Sequence, residues 1–297
     1  MNKLSVLLLL AAALMAACTN SGTNPDASGT FEATEIIVSA EANGKLLEFN
    51  VEEGQAVQKG TRVGIIDSTA LHLNKLQLIQ SRKAVLAGQQ NVKTQLESLR
   101  KELVNAQADQ QRIENLVKGQ VASQKQLDDA NLRIDVLKAR IEAQENLLNT
   151  GNTALREQSK TIEAQLAVIE DQLRRCSIVN PIEGTVLTKF SERFEMANVG
   201  KPLYKVADLS QVILRAYITN DQQSKVKIGQ KVNVLVDDGA GASRKYEGSV
   251  QWVSDKAEFT PKTIQTKEER ANLVYAVKIA VKNDGLLKIG MYGEVVF

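Results

Sequence analysis

Residues 127–176 read LDDANLRIDVLKARIEAQENLLNTGNTALREQSKTIEAQLAVIEDQLRRC, and in them Leu127, Ile134, Ile141, Leu148, Leu155, Ile162, Ile169 and Cys176 recur every seven residues. Upstream, Leu78, Val85, Val92, Leu99, Ala106 and Ile113 keep the same interval, with Leu96 and Leu103 on the adjacent seam position. Heptads sustained over this length, with polar residues between, specify helices that pack along a narrow seam. Two such arms of similar length around a short turn predict an antiparallel hairpin within one chain. Each arm has roughly 50 residues, so at about 1.5 Å of rise per residue the hairpin reaches on the order of 75 Å. That length suits a spacer. A coiled-coil dimerisation arm is the competing reading.

The turn is signalled locally. Gly119 is expected to take the left-handed position that ends the first helix, and Ser123 with Gln126 forms a capping box that starts the second. Lys118 to Ala122 is then the tip. Gly88 and Gly151 fall at nearly the same height on opposite arms. Glycine costs about 1 kcal/mol in a helix interior, so this level marks either a close approach or a bend.

At the start, Lys3 is followed by an apolar run from Leu4 to Ala17 and then Cys18. The run is too short for an ordinary spanning helix and reads as a secretory signal. Met15, Ala16 and Ala17 ahead of Cys18 resemble a bacterial lipobox, with Met where Leu is commonest; the resemblance implies acylation of Cys18. The segment after it is rich in Ser, Gly, Asn and Thr, as a flexible tether is. The chain has two cysteines, one histidine (His72) and a formal net charge of +2. If Cys18 is acylated, Cys176 is an unpaired packing residue of the seam. Nothing in this composition points to a metal cluster, a cofactor, a catalytic constellation or nucleic acid.

On either side of the hairpin lie β segments punctuated by glycine: Ile36 to Asp67 with Gly44, Gly54, Gly60 and Gly64, and Ser177 to Tyr204 with Gly184 and Gly200. The stretches SAEANGKLLEFNVEEGQAVQKGTRVGIID and LRRCSIVNPIEGTVLTKF resemble the two halves of the split lipoyl-like (biotinyl-like) domain of periplasmic adaptors, the membrane fusion proteins of the HlyD type. A true lipoyl carrier would present its modified lysine on a tight turn between the halves, where this chain has the hairpin. The Asp255-Lys256-Ala257 triplet that resembles a lipoylation site lies far downstream.

The remaining residues read as strands Val212–Thr219, 231–236, 246–253, 273–281 and 291–297, with a short helix over 221–226, which suggests a small barrel. The strand led by Phe31, Glu32 and Ala33 can join either β domain. Residues 258–279 resemble a segment of adaptors that accompany ABC-2 type exporters, and a complete membrane-proximal domain, usual after the barrel in RND-pump adaptors, is not expected here.

The fold class expected is α+β: an elongated multidomain adaptor with a coiled-coil hairpin inserted in a split lipoyl-like domain, followed by a β-barrel. Its parts are a signal peptide (1–17), a lipidated tether (18–30), the first half-domain with the N-terminal strand (31–69), the hairpin (70–176), the second half (177–205) and the barrel (206–297). Arg112, Leu116 and Ser123 have the spacing R-x3-L-x6-S, which resembles the motif by which such adaptors meet the tip of a TolC-type outer-membrane channel. Ser123 also caps a helix whatever else it does. The resemblance implies a non-enzymatic, lipid-anchored periplasmic subunit without cofactor, forming a hexameric ring between an inner-membrane transporter, of ABC rather than RND type, and that channel. An adaptor of an RND pump, or a coiled-coil scaffold with no channel partner, is the alternative.

Overall fold

The computed structural model describes residues 25–237, 243–259 and 273–297. The first arm contains the helices α1 (Thr69–Ala87), α2 (Val92–Gln95) and α3 (Glu97–Lys118), and the second is one unbroken helix, α4 (Gln124–Arg175). All the heptad positions are buried or half-buried, Leu96, Ala106, Ile134, Leu148 and Ile169 fully so. Lys75, Arg82 and Arg100 climb the first arm and pair with Glu170, Glu163 and Glu145 descending the second, at 2.8, 3.2 and 3.7 Å. The same intervals separate the partners on each arm. These pairs are half-exposed, and such pairs contribute about 0–1 kcal/mol each, whereas burying one Leu or Ile contributes about 1.5–3 kcal/mol. The seam therefore supplies the stability and the charges select the register.

The level of Gly88 is a break in one arm only. Gly88 ends α1 in the ordinary right-handed region (φ −71°), and Asn91 starts α2 by accepting from the Thr94 N–H at 3.2 Å. Across it, Asn152 of α4 accepts from the Gln90 N–H at 2.9 Å and donates to the Gln90 carbonyl at 2.8 Å. The ion-pair register is the same below and above the break, so the interruption does not slip one arm against the other. Gly151 stays inside α4, and a Cβ added there would meet nothing within 4 Å. The two glycines do not form a shared close contact.

At the base of the hairpin the two β segments close on each other. Glu35–Ser39 pairs with Pro202–Ala207, Ala56–Val57 with the start of Gly184–Lys189, and Arg62–Ile66 with Ser177–Val179. They share one core, in which Leu46, Val51, Ile66, Leu203 and Val206 have almost no exposure. Cys176 packs into this core rather than between the arms. Asn180, fully buried, joins the halves: its side-chain amide donates to the carbonyls of Gln58, at 3.0 Å, and Ile182, and its amide oxygen accepts from Tyr204 Oη at 2.9 Å. Burial pushes the Tyr204 phenol up to about 12, which keeps the donor protonated.

A second β unit is a closed barrel of six strands: Ala27–Glu32, Gln211–Thr219, Lys231–Asp237, Ser243–Val253, Leu273–Lys282 and Tyr292–Val296. Pairing from Gln211↔Lys282 to Thr219↔Val274 closes it. Val212, Leu214, Ala216 and Ile218 alternate inward at no exposure, the period-2 pattern of a strand with one buried face. The N-terminal strand lies between Gln211–Thr219 and Tyr292–Val296. It belongs to the barrel, which corrects its expected grouping with the first half-domain and also takes residues 27–30 out of the tether. The short helix is α5 (Asn220–Gln223).

Candidate docking site at the hairpin tip

The tip is built by local chemistry. Helix α3 ends with the Gln120 N–H donating to the Val117 carbonyl at 2.9 Å and the Val121 N–H donating to the Leu116 carbonyl at 2.8 Å. This is a Schellman closure, in which the residue after the C-cap turns left-handed. That residue is Gln120, at φ 57°, while Gly119 remains at φ −82°. The expectation that Gly119 would take the left-handed position is thus corrected by one residue. Ser123 and Gln126 form the capping box as expected: Ser123 Oγ accepts from the Gln126 N–H at 3.4 Å and the Ser123 N–H donates to Gln126 Oε1 at 2.9 Å.

Between the two arms just below this turn lies an open groove of about 550 Å³, with Arg112, Leu116, Ala122, Gln126, Asp129 and Arg133 on its walls. Arg112 is paired with Asp109 one turn back at 3.1 Å but keeps 72% of its side chain in solvent. Leu116 is 42% exposed. Glu114 and Lys118 pair at 2.7 Å, and that hydrogen bond holds the Glu114 carboxyl below its usual range. The structure brings Arg112 and Leu116 onto one groove; Ser123 stands at its upper end as the helix cap and is not among the wall residues. A guanidinium beside a half-exposed apolar side chain can bind carbonyls or carboxylates in a directed way while covering an apolar contact.

Of the other residues singled out from the sequence, Cys18 lies outside the described residues, as do residues 260–272 of the stretch resembling ABC-associated adaptors. His72 is exposed on α1. Among the described residues no cluster of His, Cys, Asp or Glu could hold a metal ion, and no helix is long and apolar enough to cross a membrane. Sequence reasoning passed over the clasp between Asn152 and Gln90. Its one local signal was Asn91 standing three residues after Gly88, a helix stop followed by an N-cap.

No protein-family model matches the chain. Over 287 residues it is 27% identical to a UPF0194 membrane protein of Citrobacter koseri, covering 89% of this chain and 85% of that one. The UPF0194 membrane protein YbhG of Salmonella paratyphi B is 28% identical over 288 residues, with the same coverage of 89% and 85%. Among solved structures, the crystal structure of MacA from Actinobacillus actinomycetemcomitans superposes with a TM-score of 0.54 at 26% identity, covering 91% of this chain and 76% of MacA. The membrane fusion protein Spr0693 of Streptococcus pneumoniae R6 shares the fold, with a TM-score of 0.52 at 17% identity over 91% of this chain and 96% of that one.

Proposed function

We propose that this chain is the adaptor subunit of a tripartite efflux or secretion system, held at the periplasmic face of the inner membrane by an acyl group on Cys18. It joins an inner-membrane transporter to a TolC-type outer-membrane channel. Its work is positional rather than catalytic: the hairpin carries the docking residues across a distance, and the β units organise the subunits. A ring of six copies closes a heterologous interface by rotation. The likeness to membrane fusion proteins of known structure supports the class. An ABC-type transporter is favoured by the resemblance of residues 258–279.

The observation that carries the reading is the groove at the end of the two-helix arm, where Arg112 and Leu116 sit side by side. Helix α4, with 52 residues, puts that groove on the order of 75 Å from the β core at its base. The test is a photoreactive residue in place of Leu116, activated in cells that make the whole system. A covalent adduct with an outer-membrane channel is expected. Adducts only between copies of this chain, with transport intact, would leave the hairpin as an association arm and overturn the docking assignment.

A further inference from the structure

The barrel is plugged at both ends by one device. Val226-Lys227-Ile228-Gly229 and Leu287-Lys288-Ile289-Gly290 each bury their first residue in the barrel core, Val226 at 8% and Leu287 at 1% exposure. Each then reverses over a left-handed glycine, Gly229 at φ 86° and Gly290 at φ 84°. The Gln230 N–H donates to the Lys227 carbonyl at 3.1 Å, and the Met291 N–H to the Lys288 carbonyl at 3.2 Å. These are type II turns, which need a positive φ at their third position. Each holds its isoleucine at the outer corner.

The two ends differ in their surroundings. The Gly290 N–H donates to the Phe31 carbonyl at 2.8 Å, so the Ile289 turn sits where the strand Ala27–Glu32 leaves for the split domain. The Ile228 turn sits at the opposite end, where the chain enters the barrel. There Asp26 is fastened three ways: its N–H donates to the Val295 carbonyl at 2.8 Å, its carboxylate accepts from the Phe297 N–H at 2.9 Å, and its carbonyl accepts from Gln222 Nε2 at 2.6 Å. Gln222 belongs to α5, which leads directly into the Ile228 turn. Ile228 is 70% exposed, and Lys225, Lys227 and Lys231 around it are exposed and have no ion-pair partner among the described residues. Trp252, 39% exposed beneath Lys278 Nζ at 5.5 Å, lies two residues beyond Val250, whose carbonyl accepts from the Gly229 N–H at 2.8 Å.

We propose that this end of the barrel rests on an anionic phospholipid surface, with Ile228 among the headgroups and Lys225, Lys227 and Lys231 on their phosphates. The inference deepens the anchoring part of the function proposed above and rests on it. Asp26 stands eight positions after Cys18, and a chain of that length spans at most about 29 Å. An acyl group on Cys18 therefore keeps the Asp26 end of the barrel within one tether length of the bilayer. A lysine beside an anionic surface strengthens binding about fivefold, which is weak alone. Contact made by a tethered module needs little affinity, because the tether supplies the local concentration. The lysines and Ile228 then decide which face of the barrel points down.

The test uses the mature chain with Cys18→Ser, so that no acyl group contributes, and cosedimentation with vesicles of phosphatidylglycerol or of phosphatidylcholine. Binding to phosphatidylglycerol is expected. It should fall on the order of 100-fold when Lys225→Glu, Lys227→Glu and Lys231→Glu are combined, fall for Ile228→Asp, and hold for Lys288→Glu with Ile289→Asp at the other end. Equal binding by the triple variant, an equal loss from the opposite end, or no preference for the anionic lipid overturns the proposal. A photoreactive residue at position 228 in cells separates a bilayer from a transporter: a phospholipid adduct supports the proposal and a protein adduct overturns it. Mass spectrometry of the native N-terminus judges the anchor separately, since an unmodified Cys18 defeats acylation while the vesicle result still judges the surface.

Discussion

The side chain of Asn152 grips the backbone of Gln90 from both sides, accepting from its N–H at 2.9 Å and donating to its carbonyl at 2.8 Å. A helix break leaves amides and carbonyls without intrahelical partners, and here the unbroken opposite arm supplies two of the missing partners. The interruption in the first arm is a built feature, held by a residue 62 positions away.

Removing the clasp should loosen this level alone. Asn152→Ala is expected to cost about 1 kcal/mol, since net hydrogen bonds contribute about 0.5–1.5 kcal/mol and the released groups are rehydrated. Asn152→Asp keeps the acceptor but sets a carboxylate against the Gln90 carbonyl, so it should not recover the loss. Hydrogen exchange at the amides of residues 88–92 reports it; unchanged protection in Asn152→Ala would show that the clasp does not hold the break.

At the tip, Gln120→Gly should stabilise the hairpin by about 1 kcal/mol, because a left-handed conformation costs an L-residue roughly 1–2 kcal/mol that glycine avoids, less the entropy glycine loses on folding. Gly119→Ala should be tolerated, since a Cβ there would lie 3.6 Å from its nearest neighbours, the carbonyls of Asn115 and Leu116. Thermal denaturation of the two variants ranks them. If Gly119→Ala is the damaging change and Gln120→Gly is neutral, the left-handed residue has been misplaced by one.

Gly151→Ala should raise stability by about 1 kcal/mol through helix propensity, with Leu at that site behaving much like Ala, because the added Cβ faces open space. Gly88 is different. A Cβ there would stand 3.3 Å from the Val85 carbonyl and 3.5 Å from Leu155 Cδ1, so Gly88→Leu should be worse than Gly88→Ala. Melting temperatures of the four variants decide it, and equal effects of Leu and Ala at Gly88 would remove the packing argument.

For function, Arg112→Asp and Leu116→Ser should each leave the protein folded, since both side chains are largely in solvent or half-exposed. Both should disable transport and lose crosslinks to the channel. A half-exposed Leu removed from an interface core and a reversed charge are each expected to weaken docking by at least tenfold, as hot-spot residues typically do. Ser123→Ala is a poorer probe, since losing an N-cap costs about 1 kcal/mol of helix stability by itself. Full transport by both Arg112→Asp and Leu116→Ser would remove the tip from the mechanism.

Cys176 is 3% exposed in the split-domain core, and burial first, with the Asp67 carboxylate second, raises its thiol pKa. In the folded protein it should therefore react slowly with a thiol reagent at neutral pH, because the thiolate is the reactive form. Cys176→Ala is expected to fold at a cost of about 1–2 kcal/mol from the small cavity. Rapid labelling of the native protein would contradict this environment.

The heptads, the capping box at Ser123 and Gln126 and the alternation of the barrel strands were legible because each is a local pattern whose physics acts within a few residues: seam burial every turn or two, a hydrogen bond over three positions, side chains to opposite faces of a strand. Arg112 and Leu116 could be placed near the tip for the same reason, since one turn of helix separates them. What lay beyond the sequence depended on partners far along the chain. The strand Ala27–Glu32 reads as well for one β domain as for the other, and only the free edges of Gln211–Thr219 and Tyr292–Val296 assign it to the barrel. The left-handed position at the tip falls on Gln120, one residue past the glycine, where the closing hydrogen bonds run to the carbonyls of Val117 and Leu116. Cys176 follows the seam interval but ends α4, where the chain has already turned into the β core. Local periodicity determined the elements and their faces; long-range hydrogen bonding and core closure decided which element each one meets.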